Sequence, residues 1–409
     1  MSRIFQTLGA DPTKLGWFFI LPPLAGLVVQ PAIGLFSDRT WAPKLGGRRL
    51  PYLLIGMIFA VIMMLFLPNI GSLGLGYGSI EALVFGAIAI AILDVAANMA
   101  MQPFKMMIGD MVNDEQKSYA YGIQSMLSNS GAVIAAFFPF LLTVLGVANT
   151  AKKGVVPQSV VISFYVGATI LVITSLLTVT KVHEYDPKTY ARYHGIKEED
   201  NKECGNWFEL LKKAPKVFWQ VSLVQLFCWF SFQYLSTYAT GAIAENVWKV
   251  TDPSSAGYQL AGNWFGVLTA VQSIAAVIWS YVLAKVPNDH HKFGYGISLL
   301  LGAIGYGSIF FVHSQNILIV SFILIGISWA AMNTYPLTMV SNALSGKHMG
   351  TYLGLFNCSI CLPQIIASLL SFILFPLMKY SMPAMMLTAG ISGILAAVCV
   401  LFIKETYKN

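Results

Sequence analysis

Residues 34–71, GLFSDRTWAPKLGGRRLPYLLIGMIFAVIMMLFLPNIG, join a charged loop to an unbroken apolar run. From Pro51 to Gly71 no side chain is charged. Wound as a helix, roughly 20 such residues cross the hydrocarbon core of a bilayer, which is about 30 Å thick. Backbone groups at that depth must bond internally, which leaves helices or closed barrels, and strands of alternating polarity are missing from the sequence. The run therefore reads as a membrane-spanning helix.

The pattern recurs along the whole chain. By hydropathy, about eleven such stretches run near 14–36, 51–71, 80–102, 119–147, 158–180, 217–241, 259–285, 294–313, 316–340, 350–378 and 383–403. Composition agrees, with 56% of the 409 residues hydrophobic and 11% charged; soluble domains carry roughly 45–50% and 25%. The sequence predicts an all-α membrane protein whose excess apolar surface faces lipid. Of the five cysteines, Cys228, Cys358, Cys361 and Cys399 fall inside these stretches as small apolar residues, and Cys204 falls outside them. Neither a disulfide framework nor a zinc site is expected.

Charge placement sets the orientation. Asp38, Arg39, Lys44, Arg48 and Arg49 crowd one short loop, and the 181–216 connector is rich in Lys and Arg, so both are expected on the cytoplasmic side. Parity puts the loops near 103–118, 286–293 and 341–349 and the Lys404/Lys408 tail on that side too, with a cytoplasmic C-terminus. The opposite loops near 72–79 and 314–315 are uncharged, while Lys152 and Lys153, near 148–157, run against the trend. The net charge of +7 belongs to these loops and carries no nucleic-acid signal. Short loops and brief tails suit a bacterial inner (plasma) membrane.

The connector divides five stretches from six. The expected organisation is an N-terminal helical bundle over 1–180, a cytoplasmic linker over 181–216 and a C-terminal six-helix bundle over 217–409. Residues 1–13 hold no signal-peptide core, because Arg3, Asp11 and the adjoining Lys14 interrupt them. An odd number of spans suits paired halves poorly, so a first helix is expected to be missing, through a late start codon or a real loss. A full chain would then have six plus six helices. Within the linker, Trp207–Lys213 is amphipathic and basic, fitting a short helix on the membrane surface or a solvated linker.

The charged loop itself, from Gly34 through Asp38, Arg39, Lys44, Arg48 and Arg49, supplies the strongest local signal. Gly34 permits close helix approach, and the Asp and Arg residues can form a charge network that latches one conformation, joined by Asp110 from the next cytoplasmic loop. This loop resembles the signature of the major facilitator superfamily. Gln30-Pro31-Ala-Ile-Gly34 with Asp38-Arg39-Thr-Trp41 resembles its sucrose/maltose transporter-like branch, the glycoside-pentoside-hexuronide:cation symporters. Leu93-Asp94-Val-Ala-Ala-Asn98-Met-Ala-Met-Gln102-Pro103-Phe104-Lys105, followed by Asp110, looks like that branch's fourth-helix pattern. Looser likeness extends over Trp229 to Gln233, Gly262 to Gly266, and Asn357 through Pro363-Gln364. The branch commonly has arginine where Lys105 stands, and many bacterial relatives have an acid where Gln102 stands. The resemblance implies two helical halves with a substrate site between them near the midplane.

Read on their own, the residues of the 80–102 stretch point the same way. Asp94 lies about mid-helix, where a charge is costly and marks function by default. At about 100° per residue, Asn98, Gln102 and Lys105 fall about 40°, 80° and 20° from Asp94, so the four share one stripe. Such a stripe should face a water-filled pathway. Asp94 is the expected proton-coupling residue, a buried carboxyl that takes up and returns a proton within reach of physiological pH. Sugar hydroxyls call for amides and carboxylates, and the C–H side of the ring for aromatic faces. The expected substrate-binding residues are Asn98, Gln102, Lys105, Gln124, Trp229, Gln233, Gln272, Asn333, Asn357 and Gln364, with Ser128 and Trp329 beside them. Trp229/Gln233 and Trp329/Asn333 are spaced i,i+4, and Asn357/Gln364 i,i+7, so each pair can share a helix face.

The sequence thus reads as a secondary transporter moving a sugar, expected to be an α-linked disaccharide such as maltose or sucrose, by proton-coupled alternating access. Its partners would be the sugar and the lipid bilayer, as a monomer, with protons as coupling ion and no other cofactor. The alternatives are an uncoupled sugar facilitator or exporter, motivated by Gln102, and a non-transporting membrane sensor or remnant, motivated by the missing helix. An enzyme is not expected. No nucleophile, base and orienting group recur at catalytic spacing, no GxxxxGK[ST] loop is present, and the CxxC spacing of Cys358 and Cys361 sits in an apolar stretch without the two further ligands zinc needs.

Overall fold

The computed structural model describes residues 21–72, 80–148, 156, 158–193, 207–251, 255–344 and 349–404. Expectations for residues 1–13, most of the 72–79 loop, Lys152, Lys153, Cys204 and Lys408 lie outside the described residues.

The described chain is almost wholly helical. Its helices are α1 Leu21–Arg39, α2 Leu50–Phe66, α3 Ile80–Met111, α4 Asp114–Val144, α5 Gln158–Lys181, α6 Pro187–Tyr193 and α7 Trp207–Lys213. They continue with α8 Lys216–Ile243, α9 Ala256–Ala284, α10 His291–Phe311, α11 Leu318–Ala343, α12 Met349–Phe356, α13 Cys358–Leu377 and α14 Met382–Val400. Each apolar stretch read from the sequence carries a helix, and among the described residues eight spans are long and apolar enough to cross a membrane.

Helix α5 shows how the chain meets lipid. Ile170, Ile173, Leu176 and Leu177 are exposed, while Ser163, Thr169, Thr174, Thr178 and Thr180 turn their hydroxyls back onto carbonyls four residues earlier, at 2.7–2.9 Å. Back-bonding of this kind satisfies a hydroxyl without water or a neighbouring helix. Helix ends are set by local chemistry. Ser255 Oγ accepts from Tyr258 N at the start of α9, and Ser381 Oγ accepts from Ala384 N at the start of α14. Asp114 and Glu115 occupy the first turn of α4, where carboxylates suit the helix dipole, and the helix begins there rather than at 119.

Other features also differ from expectation. Helix α3 runs past Pro103 to Met111, since a membrane helix tolerates the lost N–H when neighbours re-satisfy the freed carbonyl. The 350–378 stretch is interrupted at Asn357, between α12 and α13. The linker contains α6, whose start is capped by Asp186, its Oδ1 accepting from Lys188 N at 3.0 Å and Thr189 N at 3.1 Å.

The chain forms two compact units. The first comprises Met1–Met111, Ile134–Gly205 and Ser345–Cys358; the second comprises Val112–Val133, Asn206–Leu344 and Ser359–Asn409. Helix α12 thus belongs with the early helices, and the opening of α4 with the late ones. In the first unit, Ala60 of α2 and Leu67 just past it pack against Ala89, Ile90, Leu93 and Ala96 of α3. In the second, Tyr234, Tyr238 and Ile243 of α8 meet Leu268 of α9, Tyr306 and Ile309 of α10, Phe322 and Ile325 of α11, and Met385 and Met386 of α14.

Candidate functional site

In the first unit the charged loop folds as a tight turn. Ala42 N donates to Gly47 O at 3.0 Å, and Gly46 takes a φ of 67°, which favours glycine. Glu184, just past α5, fastens the turn. Its N–H donates to Gly46 O at 2.9 Å, and its Oε1 accepts from Arg49 N at 2.8 Å and Leu50 N at 3.2 Å. These contacts aim Arg49 into the bundle, where its side chain is fully buried.

Arg49 is the centre of a charge network. Its Nη2 meets Asp38 Oδ1 at 2.6 Å, its Nε meets Asp110 Oδ2 at 3.0 Å, and its Nη1 donates to Ser37 Oγ. Arg48 Nη2 lies 3.1 Å from the same Asp110 oxygen, and Tyr190 of α6 donates to Asp110 Oδ1 at 3.0 Å while lying under the Arg48 guanidinium. Asp38 reaches further, accepting from Gly350 N at 3.2 Å and from Thr351 N and Oγ1 at 2.7 Å each. A carboxylate at the start of α12 suits both its unpaired N–H groups and its dipole. Burial disfavours the charged form of Arg49, but Asp110 and Asp38 outweigh it and hold the guanidinium charged. Burial pushes the Glu184 carboxyl above its ordinary range, and the Tyr190 phenol likewise.

Close backbone approach accompanies this network. A Cβ on Gly34 of α1 would strike Gly350 O, and one on Gly354 would lie 2.6 Å from Gln30 O. Pro31 removes the donor that Leu27 O would otherwise accept from. Nearby carbonyls of α1 then serve α12 and its successor: Asn357 Nδ2 donates to Gly26 O at 3.1 Å, and Cys358 Sγ lies 3.9 Å from Leu27 O.

The stripe of α3 lies in the same unit. Asn98 Oδ1 accepts from Gln30 Nε2 of α1, and Asn98 Nδ2 donates to Asp94 O at 2.8 Å. Gln102 is buried, and Lys105 is partly buried nearer the Met111 end. Asp94 Oδ2 and Gln30 Oε1, on either side of Asn98, are buried acceptors with no hydrogen-bond partner among the described residues.

The second unit assembles a neutral cluster. Trp329 packs against Phe232 at 4.4 Å between ring centres and edge-on to Trp229 at 5.6 Å. Trp329 Nε1 donates to Asn129 Oδ1 at 3.0 Å, Asn129 Nδ2 donates to Ser125 O at 2.8 Å, and Ser125 Oγ lies 2.9 Å from Ser280 Oγ. Gln233 Nε2 donates to Ser368 Oγ at 3.1 Å, and Ser368 Oγ donates to Gln364 O at 2.8 Å. Asn333 turns its amide onto Trp329 O at 2.7 Å. Trp229 Nε1 is buried with no hydrogen-bond partner among the described residues.

Of the sequence-derived residues, Asp38, Arg48, Arg49 and Asp110 come together with Gly34 close by, while Arg39 is exposed at the end of α1, outside their network. Asp94, Asn98, Gln102 and Lys105 share α3. Trp229 and Asn333 meet Trp329, Gln233 bonds Ser368, and Gln272 is buried in α9. Asn357 lies at the break between α12 and α13, in the first unit, and Gln364 lies in α13, in the second. Gln124 and Ser128 are partly buried and exposed; the buried pair one residue further along α4, Ser125 and Asn129, makes the hydrogen bonds. Glu184, Tyr190, Thr351 and Asn129 were not read from the sequence. Glu184 and Asp186 are acids inside a basic linker, which is the one signal that marks that end of it.

Comparison with known proteins adds an independent line. The Major Facilitator Superfamily profile matches residues 1–368 and 251–409. A sucrose transport protein of Arabidopsis thaliana is 25% identical over 90% of this chain and 78% of its own length. A sucrose transport protein of Oryza sativa subsp. japonica is 24% identical over 90% and 81%. Among solved structures, the fucose:proton symporter of E. coli superposes with a TM-score of 0.69 at 11% identity, covering 99% of this chain and 95% of its own. A proton:xylose symporter bound to 6-bromo-6-deoxy-D-glucose gives 0.69 at 13%, covering 99% and 90%. At such identities the structures speak for the fold alone.

Proposed function

Because the chain belongs to the major facilitator superfamily, we propose that it is a secondary active transporter carrying a sugar, an α-linked disaccharide such as sucrose or maltose, by proton-coupled alternating access. The membrane is a bacterial inner membrane, with the basic loops and the C-terminus in the cytoplasm. The observation that carries this reading is the patch around Asn98. Two buried acceptors, Asp94 Oδ2 and Gln30 Oε1, stand without hydrogen-bond partners among the described residues, inside a membrane-spanning unit. Such acceptors are costly to leave unmet. A proton on Asp94 would neutralise its carboxyl and turn it into a donor, and sugar hydroxyls could then accept from Asp94 and donate to Gln30.

In this reading Asp94 loads a proton when the site opens to one side and returns it on the other. The network of Asp38, Arg49 and Asp110 holds one of the two conformations, and coupling arises because both ligands favour the same conformations. The relatives named above as sucrose transport proteins support the substrate class. A second reading, uncoupled facilitation or export, is favoured by Gln102, a buried neutral amide on the same stripe.

The test is uptake of radiolabelled sucrose and maltose into liposomes holding the purified chain, with and without an inward proton gradient. Gradient-driven accumulation that Asp94→Asn abolishes is expected. Equilibration without accumulation, unchanged in Asp94→Asn, would leave the facilitator, and uptake of neither sugar would overturn the substrate class.

A further inference from the structure

Resting on that transport reading, we propose that Asn129 is a positioning residue. It orients the Trp329 indole as one wall of a sugar-binding aromatic face, on which Trp229 Nε1 is the donor to a ring hydroxyl. Phe232 and Trp229 confine the indole by apolar contact at 4.4 and 5.6 Å between ring centres. Apolar contact does not fix which way a ring is turned, because the last side-chain torsion of tryptophan is broad and roughly two-fold. The hydrogen bond from Trp329 Nε1 to Asn129 Oδ1, at 3.0 Å, does fix it.

Asn129 is itself held. It is 7% exposed, and its Nδ2 donates to Ser125 O at 2.8 Å, which turns Oδ1 toward Trp329. Ser125 Oγ then lies 2.9 Å from Ser280 Oγ on α9, so the chain of contacts runs from α11 through α4 to α9. None of these groups carries charge.

What the cluster offers a ligand follows from what it leaves open. Trp329 and Phe232 are only partly buried. Trp229 is 9% exposed, and its Nε1 has no hydrogen-bond partner among the described residues. Aromatic walls with a few placed polar groups suit a small molecule with one apolar and one hydroxylated side. A sugar ring has that character: its C–H face meets the rings, and a hydroxyl oxygen accepts from Trp229 Nε1.

The experiment is a double-mutant cycle on the full chain, with uptake KM for sucrose and maltose and the near-ultraviolet circular dichroism of the tryptophans as readouts. Asn129→Leu is expected to raise KM by about three- to tenfold, with a smaller change in maximal rate, and to alter the tryptophan signal. In a Trp329→Phe background, where the indole donor is gone, Asn129→Leu is expected to change KM no further. An unchanged KM and signal in Asn129→Leu, or an equal penalty in both backgrounds, overturns the role. Should Asn129→Leu fail to assemble, Asn129→Gln displaces the amide by one methylene and is expected to act in the same Trp329-dependent way; an effect independent of Trp329 again overturns it. If the wild-type chain moves neither sugar, the transport reading fails, and the tryptophan signal alone decides whether Asn129 sets the indole.

Discussion

The first unit holds α12 through charge, and the second holds α4 at Ser125 and Asn129 through neutral groups. Around Arg49, three carboxylates, two guanidiniums, a phenol and the N–H groups of a helix start share one buried network. Around Asn129, an amide, an indole and two hydroxyls form a line of single hydrogen bonds. Both unite segments far apart in sequence, yet they respond to different things. At the centre of the charged network, removing Arg49 strands the charges of Asp38 and Asp110 in a dry site. The neutral line loses one hydrogen bond at a time, and interhelical bonds in membrane proteins contribute about 0.6 kcal/mol on average.

That contrast is open to measurement. Arg49→Gln should cost most, about 3–5 kcal/mol of stability in detergent unfolding, since Asp38 and Asp110 lose their shared partner. Arg49→Lys should recover only part of it, because an ammonium cannot fork between two carboxylates. Asp38→Asn should cost about 1.5–3 kcal/mol and speed hydrogen exchange at the Gly350 and Thr351 amides. In the neutral line, a Ser125→Ala and Ser280→Ala cycle should return a coupling of about 0.6 kcal/mol. A coupling as large as the loss in Arg49→Gln would erase the comparison.

Glu184→Gln should have the smallest effect of these on stability, and one that grows with pH. Burial raises the Glu184 carboxyl above its ordinary 4.5. A group raised on folding contributes stability that is full below its unfolded value and lost as pH rises through the folded one. The amide introduced by Glu184→Gln would copy the protonated carboxyl, and its oxygen could still accept from Arg49 N and Leu50 N. The variant should therefore match wild type at about pH 4.5 and gain on it toward neutrality. Thermal unfolding across that range checks this, and a variant that falls behind at neutral pH would mean that Arg48, 4.0 Å away, governs Glu184 as an ion pair.

The same contrast explains what is legible in the chain without its structure. Apolar runs place helices because the bilayer demands length and hydrophobicity, and the charged loop stands out because Asp38, Arg48 and Arg49 are rare residues beside such runs. Asn129 has no such mark. Gln124 and Ser128 have the same i,i+4 spacing as Ser125 and Asn129, and a shift of one residue turns the face by about 100°. Which face meets α9 and α11 depends on packing, which spacing along α4 does not encode. Periodicity runs on through Asn357, where the helix breaks, and nothing in the apolar pattern marks that break. Tyr190 is hidden differently: it belongs to a polar linker, and only the fold brings it under Arg48.

The meeting of Gly34 with Gly350, and of Gly354 with Gln30, is backbone against backbone. Helices that mesh by interleaved side chains must shift rotamers to come apart. Here two smooth faces abut like ground glass, with a few polar clips at their rim. At these two points nothing interleaves, so what holds the backbones at that distance is the rim of polar contacts, from Asp38 to Thr351 and from Asn357 to Gly26. A single methyl at Gly34 would act as a grain of sand in that joint.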